Sequence, residues 1–436
     1  MASGQAARSP WSFIPTLYFA QGIPYVLVNT VSVIMYKKMG VSNQVIGLTS
    51  ILYLPWVIKM LWGPFVDSYS TKRNWILITQ ISLSFLFLFI ALSTNLSAFL
   101  LLTLAIFILV AFTSATHDIA ADGFYMLALD QKQQAFFVGI RSTFFRLAMI
   151  FGSGVLVMLA GQLEASMPIA STWTVVFIVS SGLFLLVFFY HRYILPYPAE
   201  DRPERKKEEQ LNFLQIFADY FKQPKIIAIV SFILIYRVGE AILLKMAAPF
   251  LLDDPSQGGL GLPTTTVGFI YGTVGVLGLT IGGILGGWVI ARLGLRRCIW
   301  PMALCLNLPN AVYIYMAYAR PSVAVVGALV GLEQFAYGLG FTSMMVFMMY
   351  VSRGPYKTSH FAISTGFMAL GMMLPGFLSG YLQAWLGYLN FFILVICLTL
   401  PSLAVIFFIP LQSPASGGEE TAVVQPTQAR DGKAAR

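Results

Sequence analysis

Charged residues are scarce in this sequence. Only 10% of the 436 residues are Asp, Glu, Lys or Arg, whereas 58% are hydrophobic. The mean hydropathy of +0.77 lies far outside the range of soluble domains. A chain with so few charges cannot build a water-facing surface around a core, so the composition predicts a polytopic membrane protein.

Cysteine and histidine are also rare, with three of each in the whole sequence. Cys298, Cys305 and Cys397 form no CxxC pair, so neither a disulfide framework nor a cysteine zinc site is indicated. The sequence has no HExxH, no Walker glycine loop and no GxSxG elbow, so it lacks the catalytic motifs of the common hydrolases and ATPases. We therefore predict a protein that is not an enzyme and that uses no metal or cofactor.

Positive charge exceeds negative charge, with a formal net charge of +9. Most Lys and Arg lie in short segments between apolar runs, where they orient membrane spans, so no nucleic-acid partner is expected. With the N-terminus in the cytoplasm, the basic residues divide into an inner group of Lys72, Arg73, Lys132, Arg292, Arg296, Arg297, Arg353 and Lys357 and an outer group of Lys37, Lys38 and Arg320. This bias predicts that both termini and the central loop are cytoplasmic.

Apolar runs occupy most of the chain, and each is long enough for one membrane crossing of about 20 residues. We place spans near 11–36, 44–66, 74–94, 97–126, 135–161, 171–191, 225–251, 264–291, 298–318, 322–351, 358–385 and 388–410. The spans must be helices, because a backbone in lipid satisfies its own hydrogen bonds and the alternation of barrel strands is absent. The sequence thus predicts an all-α membrane protein of about twelve helices in two six-helix halves.

A polar segment separates the two halves, and within it Leu211–Phe217 has the pattern of a short amphipathic helix at the membrane surface. The predicted division of the chain is a cytoplasmic N-terminal segment (1–10), an N-terminal bundle (11–191), a cytoplasmic linker (192–224), a C-terminal bundle (225–410) and a disordered cytoplasmic tail (411–436).

Nine ionisable residues lie inside the predicted spans: Lys59, Asp118, Asp122, Arg141, Arg146, Arg237, Glu240, Lys245 and Glu333. Each costs about 2.5–3.5 kcal/mol on insertion scales, so such residues face a cavity or a partner. Asp118 and Asp122 are four residues apart and share a helix face. Only one of the two arginines, Arg141 or Arg146, needs to contact that face. Arg237 and Glu240, three apart, share another face. Fixed struts and substrate or proton contacts are both open interpretations of these charges.

Two loop segments repeat a common pattern. Gly63–Asp67 followed by Arg73 closes the second span, and Gly287–Arg292 closes the eighth. With six spans on either side of a long inner loop, these segments resemble the major facilitator superfamily, whose halves are parallel repeats around a central site. The resemblance implies a gating role for Asp67, Arg73 and Arg292.

Further blocks resemble one branch of that superfamily, the AmpG-like permeases. The blocks are Gln21–Pro24, Lys59–Pro64 with Asp67, Asp118–Ile119 with Asp122, Arg141, Tyr236–Ala241, Glu333 with Gly338, Gly340, Thr342 and Ser343, and Ser359–Ala362. The resemblance implies a multi-pass permease of the bacterial inner membrane. Such a permease imports cell-wall muropeptides, N-acetylglucosamine-anhydro-N-acetylmuramic acid peptides, for peptidoglycan recycling, driven by the proton gradient.

We assign the candidate residues to roles on this basis. Proton coupling is expected at Asp118, Asp122, Glu240 and Glu333. Substrate binding is expected at the cations Lys59, Arg141 and Arg237 and at Gln21, Asn29, Trp56 and Tyr236. The expected partners are a small-molecule substrate, protons and membrane lipid, and the expected state is a monomer.

Several alternatives stay open at this point. The solute can be another anion, such as acetyl-CoA, a peptide, a drug or a siderophore, and transport can run outward. The protein can be a membrane sensor in which the buried charges are only struts. A membrane-embedded acyltransferase that uses His117 or His360 is a third class, although neither histidine has an evident nucleophile as partner.

Overall fold

The structure is a computed structural model that describes residues 8–202, 213–352 and 357–411. All regular secondary structure in these ranges is helical. Ten helical segments are long and apolar enough to cross a membrane: Pro10–Lys38, Asn43–Leu61, Lys72–Ser93, Phe99–Ala128, Lys132–Leu163, Ile169–Ile194, Ile226–Leu252, Thr264–Leu293, Val323–Val351 and Ser359–Phe407. These ten segments of the described chain coincide with eleven of the twelve predicted span positions, because the last one covers two.

The last segment makes two passes through the bundle. Its helix breaks at Gly387, where a φ of +70° suits glycine. Just after the break, the Tyr388 hydroxyl donates to Asp253 Oδ2 at 2.6 Å, and further along the Ser402 hydroxyl donates to the Ile235 carbonyl at 3.0 Å. The chain therefore turns at Gly387 and runs back along the Ile226–Leu252 helix.

Residues 295–319 form one more pass. Two helices, Leu295–Asn307 and Ala311–Ala319, are joined by a 3₁₀ turn that contains Pro309. At the far end of the pass, Arg320 donates to the Pro255 carbonyl at 2.9 Å, beside the end of the seventh pass. The prediction of twelve helices is thus confirmed. We name the passes α1 to α12 in chain order and divide them into an N half (α1–α6) and a C half (α7–α12).

Two short helices lie outside the passes. Gly63–Tyr69 follows α2, and Phe213–Phe221 precedes α7, where the amphipathic helix was predicted. Ile216 and Tyr220 of the latter are buried against Ile363 of α11. Residues 1–7, 203–212, 353–356 and 412–436, which include parts of the predicted termini and linker, lie outside the described residues. The cytoplasmic location of these segments stays a prediction.

Each half packs around its own large aromatic side chains. Phe87, Phe177 and Trp173 are fully buried in the N half, and Phe250 and Phe392 are fully buried in the C half. Many large apolar side chains on the periphery are instead exposed, such as Leu101 at 72% and Ile227 at 81%. An apolar exterior of this kind suits contact with lipid chains.

The two halves pack most tightly toward one end of the bundle, although α2 and α11 also touch farther along, where a Cβ on Gly366 would lie 2.8 Å from the Val57 carbonyl oxygen. A Cβ on Gly272 of α8 would lie 2.1 Å from the Ser153 carbonyl oxygen of α5, and a Cβ on Gly380 of α11 would lie 1.8 Å from the Asn43 carbonyl oxygen of α2. Toward the other end, a Cβ on Gly287 would meet no atom within 4 Å. We call these the closed end, where α1 finishes, and the open end, where α1 begins.

The close contact between α5 and α8 gives a direct prediction. Gly272→Ala places a methyl group against the Ser153 carbonyl, so we expect a loss of about 1–3 kcal/mol of stability and a lower melting temperature of the purified protein. Gly287→Ala has open space and gains helix propensity, so its melting temperature should be unchanged or higher. Equal melting temperatures for the two variants would contradict this packing.

Candidate functional site

Three of the described helices contain a π turn, and a fourth is interrupted near its middle. π turns occur in α1 at Leu27–Val31, in α5 at Ile150–Leu156 and in α8 at Gly268–Gly275. The helix of α7 is interrupted at Tyr236–Arg237, between its two segments. π turns and broken helices recur at functional sites, because they redirect side chains and free backbone groups. No pattern in the sequence predicts these π turns.

The acids of the N half are paired with bases. Asp118 Oδ2 lies 3.6 Å from Lys59 Nζ, and Asp122 Oδ1 lies 3.3 Å from Arg141 Nη1. Part of each side chain is exposed, with 42% exposure for Asp122. These pairs therefore line a region that solvent reaches, and each base is already neutralised before a substrate arrives.

Tyr18 joins the second of these pairs. Its hydroxyl donates to Asp122 Oδ1 at 2.9 Å and accepts from Arg141 Nη1 at 3.0 Å, and the Arg141 guanidinium lies 4.9 Å from the Tyr18 ring centre. Arg146 instead crosses to the C half and donates to the Thr280 carbonyl at 3.0 Å. The prediction that only one of the two arginines meets the aspartates is confirmed.

The acids of the C half are buried and poorly compensated. Glu240 is fully buried, and neither of its carboxylate oxygens has a hydrogen-bond partner of good geometry among the described residues, although the Asn310 side chain lies nearby. Glu333, at 1% exposure, accepts only from the amide of its neighbour Gln334, at 3.0 and 3.3 Å. The two carboxylates are close enough to act on each other electrostatically.

Arg237 does not neutralise Glu240 by an ion pair. It lies in the break of α7, with a φ of −117°, so the i,i+3 geometry of a continuous helix does not apply. Its guanidinium donates to the Tyr337 hydroxyl and lies 4.6 Å from the Phe341 ring centre. The two side chains therefore form no direct ion pair, although Arg237 lies within electrostatic range of Glu240, and their mutual neutralisation stays a prediction.

Tyrosines surround these central charges, and sequence reasoning missed them. Tyr271, Tyr313 and Tyr337 of the C half lie within electrostatic range of Glu240 and Glu333. From the N half, Tyr25 and Tyr53 approach Arg237. A useful signal would have been the depth of each tyrosine within its span, since these five lie away from the span ends where interfacial aromatics belong.

The predicted pocket residues divide between the cleft and the bundle cores. Gln21 lies next to Asp118, and the Trp56 ring packs edge-on against Tyr25 at 5.2 Å. Asn29 lies in the π turn of α1 and lines a small cavity between the halves. Tyr236 is different: its hydroxyl lies 2.8 Å from Ser343 Oγ, inside the C half. The structure therefore does not bring Tyr236 to the cleft, because its side chain points into the core of its own half.

Two of the three predicted gating residues, Arg73 and Arg292, have their observed contacts within one half. Arg73 donates to the carbonyls of Arg192, at 2.6 Å, and Leu195, at 3.3 Å, which are both in the N half. Arg292 is exposed and stacks on Trp288 at 4.1 Å. Asp67 lies in the helix Gly63–Tyr69, and its side chain is outside what the structure describes. Gating by these three residues stays a prediction.

The two histidines considered for catalysis have other contacts. His117 Nε2 lies 3.1 Å from the Gln80 amide nitrogen, which also lies 2.9 Å from His191 Nδ1, so a buried polar chain joins α3, α4 and α6. The His360 ring packs edge-on against Tyr220 at 5.5 Å. These contacts are of the kind that positions helices.

A network of polar contacts joins the two halves at the closed end, and the sequence pattern does not predict it. Lys37 Nζ at the end of α1 lies 2.5 Å from Asp253 Oδ1 at the end of α7, and it donates to Asn43 Oδ1 at 2.8 Å. Asn43 donates in turn to Gln383 Oε1 at 2.7 Å, and Tyr388 donates to Asp253. These five residues, which we call the closed-end lock, join α1 and α2 to α7, α11 and α12.

A second contact reinforces the same end. Lys38 Nζ lies 3.0 Å from Glu164 Oε2 at the end of α5, and the hydroxyl of Thr264, the first residue of α8, donates to Glu164 at 2.9 Å. Lys37 and Lys38 had been interpreted only as topology signals in an outer loop. Their partners are distant in sequence, so the sequence alone does not show the pairing.

The closed-end lock gives a second prediction. Asp253→Asn leaves the Lys37 ammonium without its countercharge, so the halves should separate more often at this end. Ser50→Cys, at a fully buried position of α2, reports the opening when the native cysteines are absent. We expect maleimide to label this cysteine about tenfold faster, or more, in the Asp253→Asn protein.

The matched control is Asp254→Asn, which removes the neighbouring acid outside the lock. Asp254 accepts from the backbone N–H of Ser256 at 2.8 Å and makes no contact across the halves within the described part of the chain. Its labelling rate should equal that of the parent protein. Equal rates for all three proteins would mean that the Lys37–Asp253 pair does not hold the closed end.

Comparison with known proteins agrees with this architecture. The sequence profile of the Major Facilitator Superfamily matches residues 16–360. An anhydromuropeptide permease of Escherichia coli (strain K12) is 24% identical over 395 residues, which cover 89% of this chain and 77% of the permease. The putative transporter AmpG 4 of Rickettsia conorii is 23% identical over 416 residues, covering 90% of this chain and 94% of that protein. The resemblance to AmpG-like permeases is thus confirmed.

Solved structures show the same fold. The crystal structure of a D-xylose–proton symporter superposes with a TM-score of 0.70 at 13% identity, covering 92% of this chain and 97% of that one. The crystal structure of the nucleoside transporter NupG gives a TM-score of 0.68 at 16% identity, covering 91% and 98%.

Proposed function

Because the chain belongs to the major facilitator superfamily, we propose that it is a proton-coupled symporter that imports muropeptides by alternating access for peptidoglycan recycling. The coarser part of this statement is established by its family and relatives: it is a multi-pass secondary transporter of the bacterial inner membrane, and it is not an enzyme.

The observation that carries alternating access is the difference between the two ends. Polar contacts such as Lys37–Asp253 join the halves at the closed end, whereas the ion pairs Lys59–Asp118 and Arg141–Asp122 are partly exposed to solvent. A central site that is sealed from one side and reached from the other is one of the two states that a rocking transporter visits. The positive-inside bias supports a cytoplasmic open end, since Lys37 and Lys38 lie at the closed end.

The chemistry of the cleft supports a solute that has both sugar rings and carboxylates. Tyr25, Trp56 and Tyr337 offer aromatic surfaces, which suit the flat apolar faces of sugar rings. Arg237 is buried next to them and makes no ion pair with a described residue, so a substrate carboxylate can approach it. The anhydromuropeptide permease among the relatives supports the same substrate class.

The buried acids support coupling to protons. An ionised carboxylate this deep costs several kcal/mol unless it is paired, and neither Glu240 nor Glu333 forms an ion pair with a described residue. A proton that joins this pair on one side of the membrane and leaves on the other links the gradient to the rocking cycle. Asp118 and Asp122 have bases beside them and depend less on a proton.

Uptake into liposomes tests the proposed function. With an inward proton gradient, labelled anhydromuropeptide should accumulate, and an uncoupler should abolish the accumulation. One proton moving down 100 mV releases about 2.3 kcal/mol, enough for roughly 50-fold accumulation of a neutral solute. Absence of uptake by folded protein would refute the muropeptide assignment, and uptake that ignores the gradient would refute the coupling.

Substitution of the acids tests which of them carries the proton. Glu240→Gln and Glu333→Gln should abolish gradient-driven accumulation, while downhill exchange of solute across the membrane persists, because the amide keeps the shape of the carboxyl and cannot release a proton. The exposed Glu200→Gln is the control and should accumulate like the parent protein. Normal accumulation by both buried variants would remove Glu240 and Glu333 from the coupling mechanism.

A further inference from the structure

Lys245 occupies an unusual position between the two halves. It lies on α7, is only 4% exposed, and lines a cavity of about 40 Å³ together with Asn29 of α1, Tyr53 of α2 and Tyr271 of α8. Polar side chains from both halves therefore line this cavity, together with apolar ones such as Val33, Leu244 and Met372. It lies on the closed side of the central cleft, since the Lys245 stem packs beside Gly376 of α11 and Ser50 of α2.

The Lys245 ammonium has no anionic partner among the described residues. Its Nζ donates to the Thr49 hydroxyl at 3.3 Å and lies 5.5 Å from the Tyr53 ring centre. None of the ion pairs within the described ranges includes it. One hydroxyl at long distance does not replace the water shell of an ammonium, so this charge is left under-compensated.

The other walls of the cavity suit a small polar occupant. The Asn29 Nδ2 donates to the Tyr25 carbonyl at 3.0 Å. The Asn29 side-chain oxygen is a buried acceptor without a hydrogen-bond partner in the described chain, which a water molecule can satisfy and a carboxylate, having no donor, cannot. Tyr271, on the π turn of α8, lies within electrostatic range of both Glu240 and Glu333. The space holds a group about the size of a water molecule or a carboxylate.

We propose that this cavity is a carboxylate subsite, in which the Lys245 ammonium binds one anionic group of the transported solute. The subsite rests on the proposed function and extends it: it assigns to the solute a carboxylate that reaches past the central cleft toward the closed end. Charge supplies the affinity, since an ammonium–carboxylate hydrogen bond is stronger than a neutral one. The cavity size restricts the occupant to a terminal group.

The position of the subsite links occupancy to the movement of the halves. Lys245 and Ala248 belong to the C half, whereas Asn29, Thr30 and Tyr53 belong to the N half. A carboxylate bound there contacts both halves and neutralises the Lys245 charge, which the described contacts leave under-compensated. Binding should therefore favour the conformation that is closed at this end.

The test uses acetate and acetamide, which have the same size and differ in charge. Purified protein in detergent is heated with increasing concentrations of each compound, and the melting temperature is recorded. Acetate should stabilise the parent protein, and acetamide should not. In Lys245→Met the concentration of acetate needed for half of the effect should rise at least about tenfold, corresponding to the loss of one charge-assisted hydrogen bond.

The melting temperature without ligand separates a binding role from a structural one. Methionine fills the volume of the lysine stem without its charge, so Lys245→Met should melt at the same temperature as the parent or higher. The exposed Lys222→Met is the control and should keep the acetate response. A destabilised Lys245→Met protein with an intact acetate response would show a strut, and absence of any acetate response in the parent protein would overturn the subsite.

A second comparison separates this inference from the proposed function. Anhydromuropeptides with a free or an amidated terminal carboxylate are offered to liposomes that contain parent or Lys245→Met protein. The parent should prefer the free acid about tenfold or more, and the variant should not discriminate. Lys245-dependent acetate binding without muropeptide uptake would refute only the substrate class, whereas muropeptide uptake without the charge preference would refute only the subsite.

Discussion

The cost of holding a charge in a dry interior shapes the functional centre of this protein. Two ion pairs meet most of that cost within the N half, because Lys59 and Arg141 pair with Asp118 and Asp122, whereas Arg146 donates to the Thr280 carbonyl of the C half. The C half leaves Glu240, Glu333 and Lys245 under-compensated within the described structure. Paired charges already compensate each other and give a stable frame. Charges without an ion-pair partner require a proton, a solute or the other half to compensate them. This asymmetry between the halves is the basis for assigning the charges to transport.

The scaffold places these charges through local departures from helical geometry. The break in α7 separates Arg237 from Glu240, and the π turns of α1 and α8 bring Asn29 and Tyr271 to the interface. Glycines let α5 and α8 approach closely beside them. The closed-end lock lies at the rim of the bundle, where its charges can return to water when the halves part. Sealing by rim charges is therefore easier to reverse than sealing by ion pairs at the centre.

Hydropathy was enough to predict the twelve passes, because an apolar run in lipid has no alternative to a helix. The nine ionisable positions were equally visible, and spacing on one helix face correctly set Asp122 against one arginine. Spacing did not predict the contacts of Arg237 with Tyr337 and Phe341, since it assumes a continuous helix and α7 is interrupted there. It could not reveal the pair Lys37–Asp253 either, because both residues lie at the ends of spans, where charge is ordinary and the partner is set by tertiary packing.

The most direct test of proton-linked binding is calorimetry of anhydromuropeptide binding in buffers that differ in their enthalpy of ionisation. If Glu240 and Glu333 take up a proton when the solute binds, the measured enthalpy will depend on the buffer and will report net proton uptake. The dependence will vanish when both residues are replaced by glutamine. A binding enthalpy of the parent protein that is the same in every buffer would contradict the central role of these two acids.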